Sequence, residues 1–527
     1  MSRVRPLAVA FLLAFVGMAA TPLAAATHRD KIDPWIDRQL AVAAPGARIG
    51  VLVELAERAD LAAVRGTKAE KGAAVFRALT EVAARSQAPL VARLAELGVP
   101  ARPFWIANVV RVDADAALVE ELARRDDVLR LAGDSPVRVP ETLRPEGRAA
   151  AEAPTAVEWN VSKVNADDVW ALGFRGESAV VAGEDTGYQW NHPALLGKYR
   201  GWNGATADHA YNWHDAIHGN NANTPPGNPC GFDLAAPCDD NSHGTHTMGT
   251  MVGDDGTGNQ VGMAPGAKWI SCRNMEEGWG TPATYIECFQ WFLAPTDLAG
   301  QNPDPARAPD VINNSWSCPP EEGCNSGNFA TMQAVVESLR AAGIAVVVSA
   351  GNGGSACSTI NAPAAIFDAA IAVGNTTSTD AIAASSSRGP VTVDGSNRMK
   401  PDLAAPGTSV RSSVPSNAYG TKSGTSMAGP HVAAAVALLI SAQPALRGDV
   451  DTLESLLEAN ALPLTTTQGC GGDTTSQVPN NVFGWGRLDV LAAVQDALAL
   501  DLLTVDDFEP GSFARWDLVC PGSPGCS

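Results

Sequence analysis

The chain has 527 residues, 45% hydrophobic and 18% charged, so it can build packed cores and is not wholly disordered. Its formal net charge of −20 excludes nucleic acid and an anionic membrane surface as main partners. The charge is uneven: residues 27–150 hold 19 basic against 18 acidic groups, and residues 151–527 hold 16 against 39. All ten cysteines lie in the second segment, from Cys230 to Cys526. Two surface chemistries imply separate domains, within a length prior of about three.

Residues 1–26 read as a secretory signal peptide. Arg3 and Arg5 precede an apolar run from Leu7 to Ala20, and Ala24, Ala25 and Ala26 offer a small-residue cleavage site before Thr27. The alternative is a membrane anchor, but the run is short for a span and Pro22 follows it. No later segment reads as a bilayer span. Export agrees with an even cysteine count, and Cys230–Cys238, Cys318–Cys324 and Cys520–Cys526 are the plausible local pairs.

Residues 27–150 follow the signal peptide as a unit of their own. RIGVLVEL reads as a strand and Lys71 to Leu97 as a long helix. PFWIANVVRVDA reads as one or two strands, AALVEELARRDDV as a helix and VLRLA as a returning strand. The β-α-β-β-α-β order suits a small ferredoxin-like α+β unit. Residues 140–156 are rich in Pro, Ala and charge and read as an exposed linker open to proteolysis.

Residues 151–500 read as α/β. SAVVAGEDTG, DVINNSWS, GIAVVVSAGN and AAIAVGNT are β-branched runs ending in turns, with helical stretches such as ATYIECFQWFL between them. This alternation predicts a parallel twisted sheet with helices on both faces. Sites in such sheets lie beyond the strands' carboxyl ends. Residues 501–527 form a short tail with no core of their own.

Three stretches carry chemistry. Asp185 closes an apolar strand in VVAGEDTG, His243 opens a helix in NSHGTHTMG, and Ser426 opens a long apolar helix in SGTSMAGPHVA. Pro430 is expected in that helix's first turn, where a missing N–H costs little. A hydroxyl needs a base to become nucleophilic, imidazole titrates near neutrality, and a carboxylate behind the ring fixes its tautomer. Asn352, in SAGNGG, can supply an amide donor to a developing oxyanion beside the free N–H groups of a helix start. Singly, each has a plainer reading: a turn, a loop histidine or a helix cap. An aspartic protease needs two DTG turns and one is present. An esterase predicts G-x-S-x-G, whereas Ser426 lies in G-T-S-M-A.

In order, DTG, HGTH, NNSW, SAGN, KPDLAAPG and GTSMAGPHVA resemble the subtilisin-like serine proteases. VEWNVSKVNADDVWALGFRG and WNHPALLGKYRGWN are more similar to the bacillopeptidase F branch. The resemblance implies that Asp185 orients the ring, His243 acts as base and then acid, Ser426 attacks a scissile carbonyl, and Asn352 helps form the oxyanion hole. It implies that Ser315, Ser349, Ala350 and Gly351 flank the pocket for the residue before the scissile bond. It also implies that residues 27–150 are a propeptide that assists folding, inhibits the site and is cut off, with a permanent binding domain as the alternative. The expected protein is a secreted monomeric endopeptidase, extracellular or periplasmic in transit, acting on polypeptides. It has no membrane anchor after processing and no cofactor needed for chemistry. The alternative is a silent homologue that only binds.

The family commonly carries structural calcium, and Asp254 and Asp255 in GDDGTGNQVG, with Asp239 and Asp240, offer oxygen ligands. No full calcium loop is present, and solvated acidic loops are the alternative. His243 and His246 have H-x-x-H spacing but lack the zinc motif's glutamate. His209, His214 and His218 with Asp208 and Asp215 form a second candidate metal cluster, or a plain exposed loop. His431 is expected to pack within its helix. Glu184, before Asp185, departs from the small or apolar residue usual in the family, and alternation would turn it to the strand's other face.

Overall fold

The computed structural model describes residues 28–138, 157–220, 223–224, 227–316, 318, 324–325 and 328–500. The signal peptide, the 140–156 linker, the 501–527 tail and the Cys520–Cys526 pair lie outside them.

The N-terminal unit runs α1 (Pro34–Val42), β1 (Ile49–Leu55), α2 (Lys68–Glu96), β2 (Ala101–Phe104), β3 (Val109–Ala114), α3 (Ala116–Ala123), β4 (Val128–Gly133) and β5 (Val137–Arg138). Its antiparallel sheet has the order β2-β3-β1-β4, the split βαβ arrangement expected. Helix α2 begins in a capping box between Thr67 and Glu70, three residues before the periodicity placed its start.

The larger unit continues with α4 (Trp159–Lys163), α5 (Ala166–Ala171), β6 (Val180–Asp185), β7 (Trp213–Asp215), α6 (His243–Val252), β8 (Lys268–Arg273), β9 (Trp279–Gly280) and α7 (Pro282–Leu293). It then runs β10 (Val311–Asn314), α8 (Phe329–Ala341), β11 (Ala345–Ser349), β12 (Ile371–Thr376), β13 (Leu403–Pro406), β14 (Val410–Val414), β15 (Ala418–Lys422), α9 (Thr425–Ala442), α10 (Val450–Ala459) and α11 (Val490–Ala499).

Seven strands form one sheet in the order β13-β12-β11-β10-β6-β8-β7. Every pair in it is parallel. Its strands are buried on both faces, which is why they read as near-continuous apolar runs. One face carries α7 and α8 and the other α6, α9 and α11. Strand order reverses between β6 and β10, so a crevice opens at their carboxyl ends.

Helix α9 is long and apolar enough to span a bilayer, contrary to the sequence reading, but 89% of it is buried as the core of this face. Pro430 is its sixth residue, not in the first turn as expected. The proline cannot donate to Ser426 O, and the Ser315 hydroxyl donates there instead at 3.1 Å.

The two units share a hydrophobic cluster. Leu52, Val75, Leu79 and Phe104 join Ile286, Phe289, Met332 and Val336 of α7 and α8. Asp134 accepts from Ala283 N at 3.0 Å, in the first turn of α7. Glu54, fully buried, accepts from Thr331 Oγ1 of α8 at 2.7 Å. Lys68 pairs with Asp310 at 2.7 Å, and Arg102 with Glu287 at 3.1 Å. Strand β5 pairs antiparallel with β9, Val137 opposite Gly280.

Cys230–Cys238 and Cys318–Cys324 form as expected. Two longer bridges were not anticipated: Cys272–Cys288 ties β8 to α7, and Cys357–Cys470 closes a separation of 113 residues. Loop-closure entropy makes the second the more stabilising, at ~4–5 kcal/mol. Replacing Cys357 and Cys470 together by Ser should lower the unfolding free energy by that order and raise the m-value, because the unfolded chain then exposes more surface.

Candidate active site

The DTG turn at the end of β6 brings the chain under α6. Gly187 has φ +106°, and a Cβ there would lie 1.8 Å from Cys238 O. A Cβ on Gly244 would lie 2.2 Å from Gly187 O. Both positions need glycine for this close approach.

Asp239 ties the same two elements. It accepts from Thr186 Oγ1 at 2.9 Å, from Ser242 N at 2.8 Å and from Thr245 N at 3.0 Å. Ser242, in the left-handed region, then starts α6 with His243 first. Asp239 therefore sets the imidazole against Asp185, a role that no local motif signals.

His243 Nδ1 lies 2.8 Å from Asp185 Oδ1 and 2.9 Å from Oδ2. Asp185 also accepts from Thr186 N at 2.8 Å and Thr247 Oγ1 at 3.3 Å. Both side chains are about 1% exposed. His243 Nε2 is buried and has no hydrogen-bond partner. With Nδ1 facing the carboxylate, Nε2 is the atom free to take a proton.

Ser426 is the second residue of α9, where backbone N–H groups have no intrahelical acceptor. Its hydroxyl donates to Ser315 O at 3.2 Å rather than to His243. Catalytic hydrogen bonds often tighten only around substrate. Asn352 follows β11, and its Oδ1 accepts from Thr425 N and Thr425 Oγ1, each at 3.0 Å. That fixes the amide and leaves Nδ2 buried without a partner. Thr425 is the residue that sequence reasoning missed here, although its place beside Ser426 made it accessible.

Ser315 is thus reciprocally bonded to Ser426. Ser349 Oγ donates to Asn314 O at 3.4 Å, and Ala350 N donates to Val373 O at 3.0 Å, so both are held in the sheet. Gly351 O accepts from Ser387 N at 2.9 Å. These residues follow β10 and β11 on the side of the crevice that holds Asn352.

Lys422 Nζ donates to Ser242 Oγ at 3.0 Å. Burial lowers the ammonium's pKa, against the pull of Asp239 and Asp185. His246 accepts no metal role: its Nε2 meets Val410 O and Gly420 O, and burial holds it well below the usual range. His431 packs in α9 as expected, bonded to Met427 O and Asn160, and burial lowers it to about 4.

The second histidine cluster does not converge. His209 meets Tyr199, His214 and His218 meet Glu287, and Asp215 lies near Arg273. Nor do the expected calcium ligands fit that ion. Asp255 is saturated by Thr257 N, Asn259 and Tyr419, and Asp254 O accepts from Lys198. Asp240 is paired with Arg273 at 2.6 Å. Asp402, Glu454 and Glu458 do approach one another. Lys400 and Arg340 pair with the first two, and burial with the neighbouring carboxylates pushes Glu458 up to about 8. Two cations thus pair with two of the carboxylates, and the raised pKa of Glu458 favours a proton on the third.

A buried carboxylate–imidazole pair, a serine hydroxyl at a helix start and an unspent amide donor together suit acyl transfer. Comparison with known proteins agrees. The Subtilase family model matches residues 176–486. Bacillopeptidase F of Bacillus subtilis is 38% identical over 75% of this chain. The match covers 26% of that relative's own length. Subtilisin DY of Bacillus licheniformis is 34% identical over 64% of this chain and 99% of its own. Subtilisin E of Bacillus subtilis is 30% identical over 63% of this chain and 72% of its own. With its parallel α/β sheet and its site at the β6–β10 crevice, the chain belongs to the subtilase family of serine proteases.

Proposed function

We propose that the protein is an endopeptidase that is exported and made as a zymogen. The observation that supports this is the buried pairing of Asp185 with His243 of α6, a helix packed against α9, whose start holds Ser426 beside Asn352, with Nε2 and Nδ2 both unspent.

Ser426 turns from Ser315 O to His243 Nε2 when a peptide enters the crevice. His243 takes the hydroxyl proton as Oγ attacks the scissile carbonyl. Asp185 holds the ring in the productive tautomer and stabilises the imidazolium. Asn352 Nδ2 and Ser426 N donate to the oxyanion. His243 then protonates the leaving amine, and the acyl-enzyme is hydrolysed by water activated in the same way.

The N-terminal unit acts as the inhibitor and folding template. Its contacts with α7 and α8 and the β5–β9 pairing support this reading. The pairing sets Arg138 opposite Trp279, and the proposed cut falls in the linker beyond it. A sheet of long-range parallel pairings forms slowly, which gives a template its use.

Labelling by a serine-directed phosphonate and hydrolysis of casein test the activity. A processed protein that is neither labelled nor active returns the reading to a binding domain. Asn352→Ala is expected to lower kcat by ~10²–10³-fold with KM nearly unchanged. An effect confined to KM would remove Asn352 from the oxyanion role.

A further inference from the structure

We propose that Glu184 is a positioning residue, a carboxyl that anchors the Trp316 indole and through it the Ser315 groups that bracket Ser426. The proposal rests on the endopeptidase reading for its kinetic consequences, but not for its structural ones.

Strand β6 alternates. Ala182 faces the α7–α8 cluster, and Gly183 abuts Tyr188 on the other side. Glu184 therefore points away from the face that carries Asp185 and His243. Its strand neighbours are Cys272 on β8 and Asn314 on β10. The side chain is fully buried. Oε1 accepts from Trp316 Nε1 at 2.8 Å, and Oε2 has no hydrogen-bond partner. Trp316 is 1% exposed and stacks flat on Tyr285, centroids 3.8 Å apart and planes 6° from parallel. The residue before it is Ser315, which accepts from Ser426 Oγ and donates to Ser426 O. One carboxyl thus stands behind both the Trp316–Tyr285 wall and the nucleophile's two local bonds.

No cation faces this carboxyl among the described residues. Cys272 is locked in a disulfide with Cys288. Asn314 is neutral, and α7 presents Tyr285. Its own strand adds only Asp185, and the turn beyond adds Tyr188, whose phenol is pushed well up by burial and by both carboxylates. Burial holds Glu184 well above the ordinary carboxyl range; Asp185 adds to this, and the indole bond opposes it. Burial thus favours the neutral carboxyl, which still accepts from the indole.

The sign of the pH dependence follows. Between the unfolded carboxyl range and Glu184's own raised pKa, the folded chain holds one more proton than the unfolded chain. Stability therefore falls as pH rises through that window. Ionisation would place a second anion behind Asp185 and force the carboxylate to seek water, releasing Trp316.

Glu184→Gln, Glu184→Leu and Trp316→Phe in the full chain test this. Glutamine keeps the acceptor and cannot ionise, whereas leucine keeps only volume. Glu184→Gln should retain kcat/KM within about twofold at neutral pH and lose any fall in activity that follows Glu184 ionisation as pH rises. Glu184→Leu and Trp316→Phe should lose about 10–100-fold, mainly in kcat, as expected for sub-ångström displacement of reacting groups. In a Ser426→Ala background, wild-type Tm should fall with pH across the window, with a change in tryptophan emission. Glu184→Gln should show no emission change and a smaller fall in Tm, the remainder coming from other raised carboxyls such as Glu458. Equal activity of the Gln and Leu variants at neutral pH overturns the anchoring role. A fall in Tm as large in Glu184→Gln as in the wild type overturns the titration. Because Tm and emission need no turnover, a protein that failed to cleave casein would remove the endopeptidase reading while those two readouts still decide on Glu184.

Discussion

Ser426→Ala is expected to accumulate with the N-terminal unit still covalently attached, and to lose ~10⁶-fold in kcat. Deleting the hydroxyl leaves Asp185, His243 and Asn352 in place, so binding survives and chemistry does not. Ser315 O loses one donor, but the fold of α9 rests on its buried apolar length. N-terminal sequencing and casein hydrolysis check both halves of the expectation. The wild type should begin between residues 141 and 158, and the variant should keep residues 28–138. A variant that cleaves casein like the wild type would exclude Ser426 as the nucleophile.

Asp185→Asn should cost ~10⁴-fold in kcat at nearly unchanged size and fold. Asp185 accepts from His243 Nδ1, Thr186 N and Thr247 Oγ1. An amide cannot satisfy that set, because its NH₂ would face at least one donor. Turned toward His243, it would donate to Nδ1 and shift the ring proton to Nε2, the atom that must accept from Ser426. Single-turnover acylation by an ester substrate measures the loss. A near-normal rate would mean that the ring's tautomer is set elsewhere.

The parts of this architecture visible in the sequence are those whose cause is local. Asp185, His243 and Ser426 each sit at an element boundary that apolar periodicity marks, so their places at a strand end and two helix starts follow from short windows. The β-α-β-β-α-β order of the N-terminal unit was legible for the same reason. What stayed hidden depends on distant partners. Asp239 resembles a loop acid until Thr186, Ser242 and Thr245 gather on it. Pro430 reads as a harmless early proline until Ser315, far back in the chain, takes its place at Ser426 O. Cys272 and Cys288 lie on a strand and a helix whose packing alone brings them together. The histidines between 209 and 218 read as a cluster, yet the chain sends His209 to Tyr199 and His218 to Glu287.

The shared cluster between the N-terminal unit and helices α7 and α8 separates severing from release. On the proposed zymogen reading, the N-terminal unit of the continuous chain meets its site at the effective concentration of a short tether, on the order of millimolar. After the cut, the same contacts hold a bimolecular complex, and its occupancy follows the concentration of protein around it. On that reading dilution is the trigger: a freshly cleaved molecule in a crowded compartment would stay silent, and one dispersed into a large volume would become active.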